Sequence, residues 1–203
     1  MIADKSATFR YDDARHEYWL GSQKLPHPTG VLARWHDFTA IPPQMLETAK
    51  NFGTSVHAHV AAYNNGTLDL DAELPKDETF DMNAIVKGWD RAYLDNVYAM
   101  SAVEKALLNK ELRYACTVDA ISGNTVIDYK PMSRLNDNTV GAQLAANAGC
   151  AISEGLVNAS EVKLVSWHYD SWGKWKKKVW EWQVNWDTWI HAFSAENRLG
   201  GMK

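Results

Sequence analysis

The sequence predicts an α/β (α+β) fold with a mixed central β-sheet flanked by helices. Apolar residues recur at helical spacing in two early stretches, alternate with period two through the middle and late parts, and return to helical spacing near the C-terminus. Turn-forming residues separate these stretches at Asn64-Asn65-Gly66, Ser122-Gly123-Asn124 and Ser171-Trp172-Gly173-Lys174. No repeat, low-complexity tract or Pro/Gly/Ser-rich linker divides the 203 residues, so a single domain is expected over 1–203. Its expected parts are an N-terminal hairpin at 7–25, a core over about 43–155, and a tryptophan-rich hairpin and helix at 160–200.

Thr8 to Tyr11 and His16 to Leu20 read as short strands around the polar turn Asp12-Asp13, followed by Gly21-Ser22 and a third short strand at Lys24-Leu25. Pro26, Pro28 and Gly30 are expected to break regular structure. A helix is expected from Pro43 to Tyr63, with prolines suited to its first turn and Asn64-Asn65-Gly66 as its stop. A second is expected from Thr79 to Val97, where Met82, Ile85, Val86, Trp89, Tyr93 and Leu94 share one face. Strands are expected at Val103–Leu108, Leu112–Ala120 and Thr125–Lys130, the last two forming a hairpin around Gly123. Thr139 to Ser153 is rich in small residues and reads as helix. Glu161–Tyr169 and Trp175–Val184 read as a second hairpin, and Asp187–Arg198 as the final helix.

The composition excludes several classes. No apolar run approaches the roughly 18 residues of a membrane span, so no membrane association is expected. The first residues lack an apolar stretch, so no secretory signal is expected. Cys116 and Cys150 are the only cysteines, too few and too isolated for a zinc site, an iron–sulfur cluster or a disulfide scaffold. These features predict a cytoplasmic protein. A net charge of −4 gives no signal for nucleic acid, but an enzyme that gathers carboxylates around a cation becomes more negative by doing so.

The chemistry concentrates on the central hairpin. Asp119 on its first arm and Asp128 on its second can bring two carboxylates to one point, and their repulsion calls for a hard cation such as Mg²⁺ or Mn²⁺. Lys130 follows Asp128 by two residues and so shares its face of the strand. A lysine beside a metal-held water assists its deprotonation or offsets charge developing on a phosphorane-like transition state. An isolated Asp-x-Lys on a strand is more often a solvated ion pair, and the tripeptide alone identifies nothing.

Further residues appear in order around the hairpin. Phe52-Gly53-Thr54-Ser55-Val56-His57 and Val103-Glu104-Lys105 precede it. Cys116-Thr117-Val118-Asp119 and Val126-Ile127-Asp128-Tyr129-Lys130 form it, and Gln143-Leu144-Ala145-Ala146-Asn147 follows. The set resembles the PD-(D/E)xK nuclease superfamily in its RecB-like exonuclease branch, whose pattern runs Gly-Thr-x-x-His, Glu, Gly-x-x-Asp, (Asp/Glu)-x-Lys and Gln-x-x-x-Tyr. His16-Glu17-Tyr18-Trp19-Leu20-Gly21 and Leu25-Pro26-His27-Pro28-Thr29-Gly30-Val31-Leu32 also resemble the opening of phage-encoded and mitochondrial genome-maintenance exonucleases of that branch. The resemblance covers residues 9 to 147. It departs from the pattern at Cys116, which stands for a glycine, and at Asn147, which stands for the tyrosine.

The resemblance implies a restriction-endonuclease-like core and a metal-dependent DNA exonuclease of phage or bacterial recombination, repair or DNA processing. It implies Asp119, Asp128 and the Tyr129 carbonyl as metal ligands, His57 as a further metal ligand or a phosphate contact, and Lys130 as the residue that orients or activates water. Glu104 would complete the metal shell or hold Lys130, and Gln143 would contact the lysine or the DNA backbone. His59, on the same helix as His57, has no motif behind it. Alternatives left open are a structure-specific or restriction-like endonuclease using the same centre, and a DNA-binding protein whose centre has decayed. A recombination or single-strand-binding protein is a conceivable partner, and oligomeric state is not legible.

Of the ten tryptophans, Trp167, Trp172, Trp175, Trp180, Trp182, Trp186 and Trp189 crowd the last third. They form either an aromatic core or a platform on which bases stack. With Lys174, Lys176, Lys177 and Lys178 interleaved, the last hairpin is a weaker candidate for single-strand contact, through Lys174, Lys176, Lys178 and Trp175. Arg10, Arg15 and Arg34 are further possible phosphate contacts.

Overall fold

The computed structural model describes residues 7–36, 41–96, 98–135 and 137–200. It is a mixed α/β architecture with a five-stranded mixed sheet, a separate three-stranded antiparallel sheet, and helices on both faces of the larger one. The small sheet joins β1 (Phe9–Asp12), β2 (Glu17–Leu20) and β3 (Gln23–Leu25) in sequence order, close to the expected strands. Tyr18 and Leu25 point from it onto Leu108 and Ala115 of the large sheet.

Pro26 follows the end of β3 and lies outside regular structure as expected, but Pro28 and Gly30 do not break it: Pro28–Leu32 form the short helix α1. Proline is tolerated at the first helical position because its missing N–H would have no intrahelical partner there. His27 Nδ1 caps the turn by accepting from the Gly30 N–H at 3.3 Å, and a Cβ at Gly30 would come within 2.9 Å of the His27 ring. Gly30 therefore makes room for a cap and does not break a helix.

Helix α2 (Pro43–Asn64) matches its expected span. Helix α3 (Met82–Asn96) starts later than expected, because Asp77 accepts from Thr79 N and Phe80 N in a preceding turn. Asp81 then accepts from Ala84 N at 2.9 Å, capping the true start.

The large sheet runs in the order β4 (Met100–Asn109), β5 (Tyr114–Ser122), β6 (Thr125–Pro131), β7 (Lys163–Tyr169), β8 (Trp175–Trp180). All neighbours are antiparallel except β6 and β7, which pair in parallel from Thr125↔Lys163 to Pro131↔Tyr169. A parallel pair needs a long crossover, and helix α4 (Asn138–Ser153) lies in it. The β5–β6 ladder is short: its last pair is Ala120↔Ile127, one step before Asp119 and Asp128 would face each other.

Helix α5 (Trp182–Gly200) begins where strand was expected to continue. Trp180, Trp182 and Val184 mimic a period-two pattern. Trp182, Trp186, Trp189 and Phe193 instead make a helical face, with Trp182 stacked on Trp186 at 5.2 Å. This face and α4 cover one side of the sheet, burying Tyr114, Cys116, Val118, Ile121, Val126 and Leu164. On the other side, Val56 and Val60 of α2 and Met82, Ile85 and Trp89 of α3 pack on Ala120, Ile127, Tyr129, Val165, Trp167 and Tyr169. The seven tryptophans of the last third thus pack, fully or partly buried, into one or other layer, except Trp172, which is 59% exposed. Among the described residues, no helix is long and apolar enough to cross a membrane.

Helix α3 and the β7–β8 turn meet backbone to backbone. A Cβ on Gly88 would sit 2.1 Å from the Gly173 carbonyl oxygen, and one on Gly173, at φ +85°, 2.0 Å from that of Ala84. A backbone neighbour cannot rotate away, so Gly88→Ala is expected to destabilise the fold by about 1–3 kcal/mol, the usual cost of overpacking. Denaturant unfolding that shows an unchanged midpoint would refute this contact.

Candidate functional site

The site grows from the point where β5 and β6 part. Beyond Ala120↔Ile127 the backbone groups of Tyr129 lose their β5 partners, and side chains replace them. Asp119 Oδ2 accepts from Tyr129 N at 2.7 Å. The Tyr129 carbonyl lies 2.9 Å from His57 Nε2, which must be the donor, since a carbonyl can only accept. That bond fixes the imidazole and directs Nδ1 to the acids, 3.5 Å from Asp119 Oδ1 and 3.7 Å from Glu104 Oε1.

Glu104 reaches this point through an unusual backbone. It lies in the middle of β4, opposite Asp119, yet has φ +44°, and its neighbours Val103 and Lys105 pair normally with Ala120 and Val118. A non-glycine residue in the left-handed region costs energy and persists where the surroundings enforce it, often at functional sites. His57, Glu104 and Asp119 each offer one ligand atom, all within 4.8 Å of one another.

Asp128 and Lys130 form the adjoining half. Lys130 Nζ donates to Asp128 Oδ1 at 2.7 Å. Asp128 is fully buried, and its Oδ2 has no hydrogen-bond partner among the described residues. A buried carboxylate oxygen without a partner is costly, and a cation is one way to satisfy it. The three-ligand cluster and this orphaned oxygen fit a hard divalent cation. They do not discriminate Mg²⁺ from Mn²⁺.

The electrostatics are those of a cluster of buried acids and bases acting on one another. Burial works to lower the His57 pKa, but Asp119 and Glu104 outweigh it and raise it to about 10. Burial opposes ionisation of Asp119, but His57 and Lys130 prevail and hold it below the usual carboxylate range. Burial raises Asp128 to about 6 despite Lys130, and raises Glu104 with the help of Asp119. Lys130 resists burial because Asp128 and Asp119 keep its ammonium above its ordinary value.

The expected metal set is therefore only partly assembled. His57 and Asp119 converge, and Glu104 stands with them. The Tyr129 carbonyl holds His57, and Asp128 adjoins through its Lys130 pair. Gln143 lies beside Lys130 in a cavity of about 260 Å³ that Thr29, His36, Arg134 and Thr139 also line. Sequence reading missed His36 and Arg134. No motif marks them, and they meet only because α1 and the turn after β6 converge on the start of α4. Arg134 donates to His36 and Thr139, both at 3.2 Å, and pairs with Asp137 at 2.6 Å. Asn147, one turn beyond Gln143, is buried with its Nδ2 unpartnered among the described residues. His59 turns back to the Ser55 carbonyl at 2.7 Å, away from this cluster.

The last hairpin is differently placed from the expectation. Trp175 packs against Trp89, Tyr129 and Tyr169 and donates from Nε1 to the Ile85 carbonyl at 2.9 Å, so it is not an open stacking platform. Lys178 donates to the Leu135 carbonyl at 2.9 Å and lies 3.7 Å above the Trp180 ring, while Lys177 bonds Asn96. Lys174 and Lys176 remain exposed. Of the three candidate arginines, Arg10 covers Trp19 and Arg34 pairs with Glu196 at 3.0 Å.

His57 and Asp128 bind protons more tightly in the fold than in the unfolded chain. Each adds stability that is full below its unfolded pKa and lost as pH rises through its folded one: from 3.8 to about 6 for Asp128, and from 6.5 to about 10 for His57. Asp119 acts in the opposite sense and contributes at higher pH. Millimolar Mn²⁺ is therefore expected to raise the thermal midpoint more at about pH 8 than at about pH 5.5, where protons compete for the ligands. Asp119→Ala is expected to remove that shift. An equal shift at both pH values, or one that survives the substitution, would contradict the assignment of the ligands.

No family model matches the chain, and no curated protein matches it, so the functional reading rests on this geometry and on the motifs that form it.

Proposed function

We propose that the protein is a metal-dependent deoxyribonuclease that hydrolyses phosphodiester bonds at the junction of His57, Glu104, Asp119, Asp128 and Lys130. The observation that carries the reading is the buried Lys130–Asp128 pair, with its orphaned carboxylate oxygen, beside a three-residue ligand cluster. His57, Glu104, Asp119 and Asp128 would hold a divalent cation, which would supply a water of lowered pKa and offset charge on the phosphate. Lys130, kept protonated by Asp128, offers N–H donors to the attacking water or to a non-bridging phosphate oxygen. The Tyr129 carbonyl keeps His57 Nδ1 facing the acids, so its lone pair is available to a ligand when the ring is neutral. Arg134, His36 and Gln143 line the cavity next to Lys130, where the phosphate of a neighbouring nucleotide would find donors.

DNA as substrate, and an exonuclease in preference to an endonuclease, come from the motif resemblance. Recombination, repair or phage DNA processing is the corresponding setting. End-labelled linear DNA and covalently closed circular DNA, each with Mg²⁺ or Mn²⁺, test the proposal together. Linear DNA is expected to be degraded from an end while the circle stays intact. Asp128→Ala and Lys130→Ala should each lower the rate by about 100-fold or more, the scale of a lost transition-state donor or ligand. If both variants cleave at the wild-type rate, the centre is wrongly assigned, and a nicked circle would make the enzyme an endonuclease.

A further inference from the structure

The N-terminal segment His16-x-Tyr18 takes no part in the chemistry above, yet the fold brings it to the edge of the centre. His16 occupies the β1–β2 turn at φ +53°, a region that few residues besides glycine adopt and that histidine, asparagine and aspartate tolerate best. Two tyrosines hold its ring. Nδ1 lies 3.0 Å from the Tyr11 hydroxyl and Nε2 3.4 Å from that of Tyr18. Tyr11 donates its only hydroxyl proton to Asp13 Oδ1 at 3.0 Å, so the Nδ1–H of His16 must be the donor to Tyr11.

Asp13, Tyr11 and His16 thus form a line in which a carboxylate, acting through a hydroxyl, orients an imidazole and offsets part of the cost that burial sets on its cationic form. This is the arrangement by which acid–base histidines are commonly held. Nε2 is left as the atom that can exchange a proton. It lies on the side of Tyr18, whose hydroxyl bonds Thr117 Oγ1 at 2.9 Å, two residues before Asp119 on β5. The charges acting on the ring are Asp13 on its own turn, Lys50 on α2 and Asp119 on β5, and the rings of Tyr11, Tyr18 and His27 surround it. Burial holds its pKa below the ordinary histidine value.

Position across the centre gives this line a purpose. Asp128 and Lys130 stand on β6, to one side of Asp119. The small sheet that carries His16 packs on the β4–β5 half, to the other side. Phosphoryl transfer places the attacking and leaving oxygens roughly in line, on opposite sides of phosphorus.

We infer that His16 donates a proton to the sugar oxygen that departs when the phosphodiester is cut, an inference that rests on the nuclease reading. In this step the water oxygen bonds to phosphorus as the bond from phosphorus to the sugar oxygen breaks. The electron pair of that bond stays on the sugar oxygen, which takes the Nε2 proton. The proton released by the water passes to solvent, and solvent reprotonates the imidazole.

The test compares two DNA substrates in Mn²⁺, one natural and one with the departing bridging oxygen replaced by sulfur, the position being set by the ends that wild-type cleavage leaves. His16→Asn removes the acid but keeps a residue that tolerates positive φ. It is expected to cut the natural linkage about 100-fold more slowly and the sulfur linkage at close to the wild-type rate, because a thiolate departs without a proton. Tyr11→Phe, which removes only the orienting hydroxyl, should show a smaller loss with the same sulfur rescue. In a Lys130→Ala background, adding His16→Asn should leave DNA affinity unchanged, and the thermal midpoint of His16→Asn should match wild type. Equal loss on both linkages, or no loss on either, would overturn the role of His16. A wild-type protein inert toward both substrates would overturn the nuclease reading itself, and this inference with it.

Discussion

The site depends on a hydrogen bond that the large sheet does not make. Strand β6 must follow β7 as far as Pro131↔Tyr169, and so leaves β5 after Ala120↔Ile127. A ladder that opens inside a core would strand its N–H and C=O groups, and here Asp119 and His57 replace the missing strand. The same requirement positions α2, because His57 must reach Tyr129. It also recruits α3: Trp89 Nε1 donates to Asn64 Oδ1 at 2.9 Å, and Asn64 Nδ2 donates to the Tyr129 hydroxyl at 3.0 Å. Both ends of Tyr129 are therefore pinned by helices on one side, while Asp128 and Lys130 on either side of it in sequence face the other way. Shape and chemistry here have one origin.

Glu104 shows the complementary effect. A regular β4 would run past Asp119 with uniform alternation, but the positive φ at Glu104 interrupts the strand opposite that residue. The strain is local and is bounded by normal pairs on both sides. It gives a third strand access to the cluster that the β5–β6 hairpin begins. Loss of the carboxylate would leave the backbone distortion without a counterpart interaction.

Much of this was legible in the chain, for identifiable reasons. The hairpin Asp119–Lys130 reads clearly because turn chemistry at Gly123 and strand alternation both act locally. Helix α2 and the small-residue helix α4 read correctly because their periodicity is long. Glu104 and Gln143 stood out through motif spacing, but their actual neighbours depend on packing. The errors have physical causes as well. Trp182 reads as strand because three alternating apolar residues look the same at the end of a strand and on the first turn of a helix. Pro28 and Gly30 read as breakers, although proline suits a first turn and the glycine admits the His27 cap. Arg134 and His36 are 98 residues apart and were invisible until folding brought them together.

Asp128 carries a wider consequence. A fully buried carboxylate with one oxygen unpartnered is a liability for the folded chain whenever no cation is bound. Selection for stability alone, with activity unmonitored, would favour replacing it by a residue that tolerates burial, and the fold would gain what the chemistry lost. If the site takes up a cation as proposed, binding there would also relieve this cost, and the strength of the fold around β6 would then follow the supply of the ion.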